Sequence, residues 1–331
     1  MRARPIAVRR RLAPLDEAER RRHKLRNVAH SILLLGGIVA LLALCGWVLF
    51  GPGGLVGMAL GAAIALAISP AVSPGMVLRL YRAREIPPHD LPEVLRVLAA
   101  LAERAGLARR PRLYYVPSRM LNAFAVGGRD DAVIAVTDGM LRALDLRELA
   151  GVLAHEISHI RNRDLWLMGI ADVAGRLTRL MTLLGLALLI INLPLWLSGA
   201  AAIPWLVVPL LVFAPQITIL LQLELSRARE FDADLDAAGL TGDPGALAAA
   251  LAKLERYQRG PWEQILMPGR RLPDPSVLRT HPPTAERIAR LEALSGAPPL
   301  PPLPERGARR IEAAWPMVQG APRGRLIGFW Y

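Results

Sequence analysis

The chain has 331 residues, is 53% hydrophobic, and carries a net charge of +13 from 41 basic and 28 acidic residues. Its mean hydropathy of +0.32 is too high for an ordinary soluble domain of this length. The basic residues flank the apolar runs, a placement that argues against a nucleic-acid partner, and the single cysteine, Cys45, excludes an intrachain disulfide.

Residues 1–30 form a basic extension, with "MRARPIAVRRR" and "ERRRHKLR", whose charge suits an anionic lipid surface. Residues 31–78 read as two transmembrane helices. Ser31–Phe50 is uncharged, Gly51-Pro52-Gly53-Gly54 makes a tight turn, and a second apolar run extends from Leu55 to about Leu78. A bilayer core of about 30 Å takes roughly 20 such residues per helix.

Residues 79–179 read as the first part of a catalytic domain. An amphipathic helix is predicted over 86–107, with Asp90 and Glu93 as its capping pair and Gly106 as its stop. Residues 111–118, 122–128 and 131–137 predict a small sheet of about three strands. A second helix begins at Asp145, capped with Glu148, and carries "HEISH".

Residues 180–223 contain no charge and are long enough for two further transmembrane helices, with a turn within 192–205 beside Trp196 and Trp205. Arg176 and Arg179 precede this block, and Arg227 and Arg229 follow it. With Arg79, Arg82 and Arg84 after the first pair of spans, every basic flank falls on one side, the cytoplasmic side by the positive-inside rule. Both termini and the catalytic domain are therefore expected in the cytoplasm. Residues 224–295 complete that domain: a helix from Ser226 to Gly239, another over 243–260, and a last one capped by Thr284. Residues 296–331 read as an extended Pro-rich tail.

His155, Glu156 and His159 stand in the spacing H-E-x-x-H. Positions i and i+4 share a helix face, so both rings can meet one cation while Glu156 reaches a water beside it. A catalytic zinc takes three protein ligands and leaves one position open. His23 and His30 precede the first span and His89 lies in a loop, so a later glutamate is the better third ligand. Glu230 fits, and Asp234, one turn on, could hydrogen-bond the free nitrogen of a ligand histidine. Glu224, Asp232 and Asp164 compete for the ligand role, and an exposed Arg–Glu pair is the plain alternative for Glu230. The ligands must share one side of the membrane, which two crossings within 180–223 allow.

"HEISHIRNRD", "SRAREFDAD", "NAFA" and "THPPTAERI", with the paired spans, resemble the HtpX-type membrane zinc metalloproteases, relatives of the Oma-type and CaaX-prenyl endopeptidases. The resemblance covers roughly residues 31–294. It implies a mainly α membrane protein in which four transmembrane helices carry a zincin-type α+β catalytic domain. One Zn2+ per chain would sit on His155, His159 and Glu230, with Glu156 as the catalytic base. The implied substrates are misfolded or membrane-associated polypeptides, and the implied place is a bacterial inner membrane. Asn122, Ala123 and Phe124 of "NAFA" would bind an extended substrate by strand addition. His281 of "THPP" would serve the oxyanion, with Arg287 as a weaker candidate. On the residues alone, Asn122 could equally open an ordinary strand, and His281 could equally be a loop histidine. A scaffold or chaperone with a structural zinc, and a prenyl-protein protease, are the alternative functions.

Overall fold

Long helices dominate the computed structural model, which describes residues 17–68, 74–199, 207–258 and 284–294 and the backbone of 325–326 and 329–330. Helix α1 (Glu17–Phe50) begins well before the expected first span, and its Val28–Val48 portion is long and apolar enough to cross a bilayer. Gly51, at φ +61°, makes the left-handed turn into α2 (Pro52–Ile68). A Cβ on Gly46 would fall 2.9 Å from the Gly54 carbonyl oxygen, so these helices pack backbone to backbone.

The expected second span is described in two parts. Helix α2 has 17 residues, about 26 Å at the helical rise, and α3 (Pro74–Leu80) is a separate element; residues 69–73 lie outside the described residues. Among the described residues three helices qualify as candidate spans: Val28–Val48, Asp164–Leu197 and Pro209–Thr241.

The last two belong to α7 (Asp164–Leu197) and α8 (Val207–Thr241), which run antiparallel. The Thr182 hydroxyl donates to the Leu211 carbonyl at 3.2 Å. A Cβ on Gly185 would fall 2.7 Å from Leu211 Cβ, and Gln222 lies against Gly175 further down. The helix expected to begin at Ser226 is instead a continuation of α8. Glu224 and Leu225 are good helix formers and nothing there breaks the ladder. Helix α8 ends at Thr241, not Gly239, because Gly242 at φ +71° supplies the terminating geometry.

The sheet has four strands in the order β1-β2-β4-β3: β1 (Arg84–Glu85), β2 (Arg112–Val116), β3 (Ala123–Val126) and β4 (Val133–Thr137). β2 and β4 are parallel, whereas β1 pairs with β2 and β3 with β4 in antiparallel fashion, which leaves β3 on an edge. At two residues, β1 is too short to carry a periodic signal. Helix α4 (Pro92–Arg104) lacks the expected Asp90 cap. Leu91 occupies the cap position without a side-chain bond, Pro92 opens the first turn, and Asp90 sits 3.2 Å from His89.

After α5 (Asp138–Ala143) comes α6 (Leu146–Asn162), which runs through the main hydrophobic core. Its Leu149, Leu153 and Ile157 are fully buried among residues of α4, the sheet, α8 and α9 (Pro244–Gln258). A Cβ on Gly151 would come within 2.9 Å of the Leu247 backbone nitrogen, so α9 lies directly on α6 there. Helix α10 (Thr284–Ala293) is described from Thr284, and the residues before it, 259–283, lie outside the described residues. In the tail, β5 (Arg325–Leu326) pairs with β6 (Phe329–Trp330).

Candidate metal centre

Helix α6 is fixed at its start by a reciprocal cap. The Glu148 amide donates to Asp145 Oδ1 at 2.8 Å, and the Asp145 amide donates to Glu148 Oε2 at 2.9 Å. Burial on all sides then sets the direction of the rings three turns later. His155 and His159 point their Nε2 atoms at one another, 3.1 Å apart, with the ring planes at 90°.

Glu230 enters from α8. Its Oε2 lies 3.4 Å from His155 Nε2 and its Oε1 lies 3.6 Å from His159 Nε2. The three residues offer donor atoms that all fall within 4.8 Å of one another. Bonds of about 2.0–2.1 Å from a tetrahedral zinc would set ligand atoms roughly 3.3 Å apart, so this spacing fits that ion. Glu230 is 4% exposed and is therefore no surface ion pair. Glu224, one of the competing acids, lies 3.5 Å from Arg227 on the exposed side of α8.

Each histidine is backed at its other nitrogen by a carboxylate, and each carboxylate by an arginine. His155 Nδ1 lies 3.0 Å from Asp234 Oδ1, and Arg287 donates to both Asp234 oxygens at 2.6 and 2.7 Å. His159 Nδ1 lies 2.9 Å from Asp164 Oδ2, and Asp164 Oδ1 accepts from Arg229 Nε at 2.7 Å. Arg229 also donates to Asp232 at 2.9 Å. Such partners fix the tautomer that presents Nε2 to a cation. The residue types do not signal this Asp164–Arg229 chain: by sequence Arg229 is a charge flanking an apolar run and Asp164 a competing ligand.

Asp164 reaches its place through Arg163, which at φ +59° closes α6 and opens α7. A non-glycine residue in this region is uncommon, and such residues cluster at functional sites.

Burial disfavours the charged form of both rings, but the surrounding carboxylates outweigh it. Asp164 and Glu230 hold the His159 pKa well above its ordinary value, and Asp234 and Glu230 raise that of His155. Burial likewise works against the Arg287 charge, and Asp234 and Glu230 overcome it. Arg287 Nη1 stands 2.9 Å from Glu230 Oε2, so Glu230 can turn one oxygen to a cation and keep the other on Arg287. Two imidazoles with raised proton affinity beside a carboxylate form a donor set in which a divalent ion can take the proton's place.

Glu156 is buried at 7% exposure, one residue from His155. Strand β3 packs against α6 through Ala123 and Ala125. The Phe124 ring points to the opposite face, 5.0 Å from Tyr81, so only its main chain is turned to the open edge. The Asn122 amide donates to Thr137 Oγ1 at 3.0 Å, and the Asn122 carbonyl accepts from the Thr137 amide at 3.0 Å, which anchors the start of the strand. His281 lies outside the described residues.

The model of peptidase family M48 matches residues 88–295. A protein named Protease HtpX homolog from Kineococcus radiotolerans is 37% identical over 299 residues, covering 83% of this chain and 99% of its own. Another of that name, from Burkholderia ambifaria, is 35% identical over 284 residues, covering 80% of this chain and 96% of its own. The crystal structure of S. mikatae Ste24p aligns with a TM-score of 0.45 at 19% identity, over 82% of this chain and 66% of that one.

Proposed function

The chain belongs to peptidase family M48 and is a membrane metalloprotease of the HtpX type, and we propose that it is a zinc-dependent endopeptidase with a cytoplasm-facing site in a bacterial inner membrane. The observation that carries this reading is the convergence of His155, His159 and Glu230, with donor atoms within 4.8 Å. These three residues would hold the ion. Asp234 and Asp164, each at about hydrogen-bond distance from a ring nitrogen, would orient the two imidazoles.

When bound, zinc supplies a Lewis acid that polarises a peptide carbonyl and makes a neighbouring water more acidic. Glu156 takes the proton of the attacking water and returns it to the amine nitrogen as the C–N bond breaks. The open edge of β3 pairs with an extended substrate through the main chain of Ala123 and Phe124, with Asn122 at its start. Recognition of that kind is indifferent to most side chains, which suits unfolded or misfolded polypeptides and segments of membrane proteins. His281 serves the oxyanion, since the Arg287 guanidinium is engaged by Asp234 and Glu230. The basic flanks favour the cytoplasmic side for the site, and α2 serves as a fourth, short span beside α1.

Replacing Glu156 by Gln separates the base from the ligands. Cleavage of an unfolded polypeptide is expected to fall by at least about a hundredfold while the zinc content stays that of the wild type. Undiminished cleavage by the variant would reject the mechanism. Lost cleavage with lost zinc would instead place Glu156 among the ligands.

A further inference from the structure

A cavity of about 270 Å³ lies where the first span meets the base of α7 and α8. One wall is a stripe of α1, with Val28, Ile32 and Leu35 at helical spacing, and Leu167 of α7 adds to it. The floor is polar and charged, with Asn162, Arg229, Asp232 and Asp236; Asn162 donates to Asp236, and Arg229 bridges Asp232 and the Asp164 carboxylate beneath His159. Ser31 stands in the same α1 stripe and also lines the cavity. Its residue is 5% exposed, and its buried hydroxyl has no hydrogen-bond partner among the described residues. Leaving a hydroxyl unsatisfied in such surroundings is unfavourable, so its position calls for a ligand that brings a hydrogen-bonding group.

We propose that this cavity binds one zwitterionic phospholipid, with its polar head toward Ser31 and the mixed-charge floor of Arg229, Asp232 and Asp236, and the first segment of an acyl chain along Val28, Ile32, Leu35 and Leu167. The placement selects an amphiphile. The cavity begins at Val28, the first residue of the candidate span. Ile32 is 67% exposed, so it belongs both to the wall and to the outer apolar surface of α1, and the cavity opens on that side. Water would satisfy the hydroxyl but would wet the apolar wall, whereas a bilayer lipid satisfies both at once. The lipid head would then stand against the arginine that braces the metal centre.

The test uses the full-length protein reconstituted in nanodiscs of equal phosphatidylethanolamine and phosphatidylglycerol, extracted into mild detergent and examined by native mass spectrometry. The wild type is expected to keep one phosphatidylethanolamine per chain. Leu35→Trp, which fills the cavity, should lower the bound fraction at least about tenfold, and Ser31→Ala, which removes one hydrogen bond, about threefold. Leu33→Trp, on the lipid-facing side at 71% exposure, should keep the wild-type adduct. A wild type with no adduct, or with phosphatidylglycerol, detergent or peptide in its place, would overturn the proposal. So would an adduct that survives Leu35→Trp, or one that Leu33→Trp removes as readily. If Leu35→Trp fails to fold, Ser31→Ala decides alone, and an unchanged adduct in it counts against the site.

Discussion

Asp164 Oδ2 lies 2.9 Å from His159 Nδ1, although on one unbroken helix a residue five positions on would point some 140° away. The left-handed turn at Arg163 swings the start of α7 back beneath the last turn of α6. Arg229, next to Glu230 on α8, donates to Asp164 at 2.7 Å. The two ends of the α7–α8 pair are thereby tied to each other and to a proposed ligand, so the register of the membrane helices sets the geometry of the metal centre.

Asp164→Asn is accordingly expected to weaken zinc retention by about 10–100-fold, the usual cost of losing a carboxylate behind a ligand histidine. Arg229→Gln should act in the same direction and more weakly, because Asp164 keeps its bond to the ring. Competition with a chromophoric chelator measures both. Wild-type affinity in Asp164→Asn would show that His159 is held by the packing of α6 alone.

The parts of this centre differed in how far the sequence revealed them. The pattern His155, Glu156, His159 places two rings and a carboxylate in little more than one helical turn, so it could be read without tertiary structure. Glu230 could be picked out because the ligands must share a side of the membrane and because Asp234 follows one turn later. Asp164 and Arg229 could not, since their roles depend on a left-handed Arg163, a conformation that the residue type does not signal. Arg229 read as a flanking charge because a sequence shows charge but not burial, and it is only 7% exposed. Asp90 had the spacing of a cap, but Pro92 pre-sets the first turn and Leu91 took the cap position. The sheet followed from β-branched and aromatic runs bounded by Pro, Gly and Asp, except for β1, whose pairing is set by β2.

Away from the centre, Asp243 joins the end of α8 to α6. Arg147 donates to both of its oxygens, to Oδ1 at 2.7 Å, and this guanidinium holds the Asp243 carboxyl below the usual carboxylate range against the opposing effect of burial. A folded-state pKa below the unfolded value of about 3.9 means that the pair stabilises above that pH. The contribution then disappears as pH falls through the lowered folded value. Asp243→Asn keeps the acceptor for the Ala246 amide, so it isolates the ion pair. Because both side chains are partly exposed, the expected deficit at pH 7 is about 0.5 kcal/mol, vanishing in acid. Thermal unfolding in detergent at the two pH values reads this, and an equal deficit at both would assign the effect to packing.

The membrane arrangement can be checked independently of the metal. Reporter fusions at Gly127, in the turn after β3, and at Gly242, after α8, are both expected to report the cytoplasm. Reporters on opposite sides would mean an odd number of crossings between them, incompatible with His159 and Glu230 sharing an ion.

The central claim is that a carboxylate on the far side of a membrane hairpin completes the site begun by two imidazoles on α6, and the metal content of Glu230→Gln beside the wild type tests it most directly. The two proteins should show the same helical content by circular dichroism, with close to one zinc per chain in the wild type and well under a tenth of that in the variant after the same dialysis. A variant that keeps a full zinc after dialysis would contradict the account, because His155 and His159 would then hold the ion without Glu230.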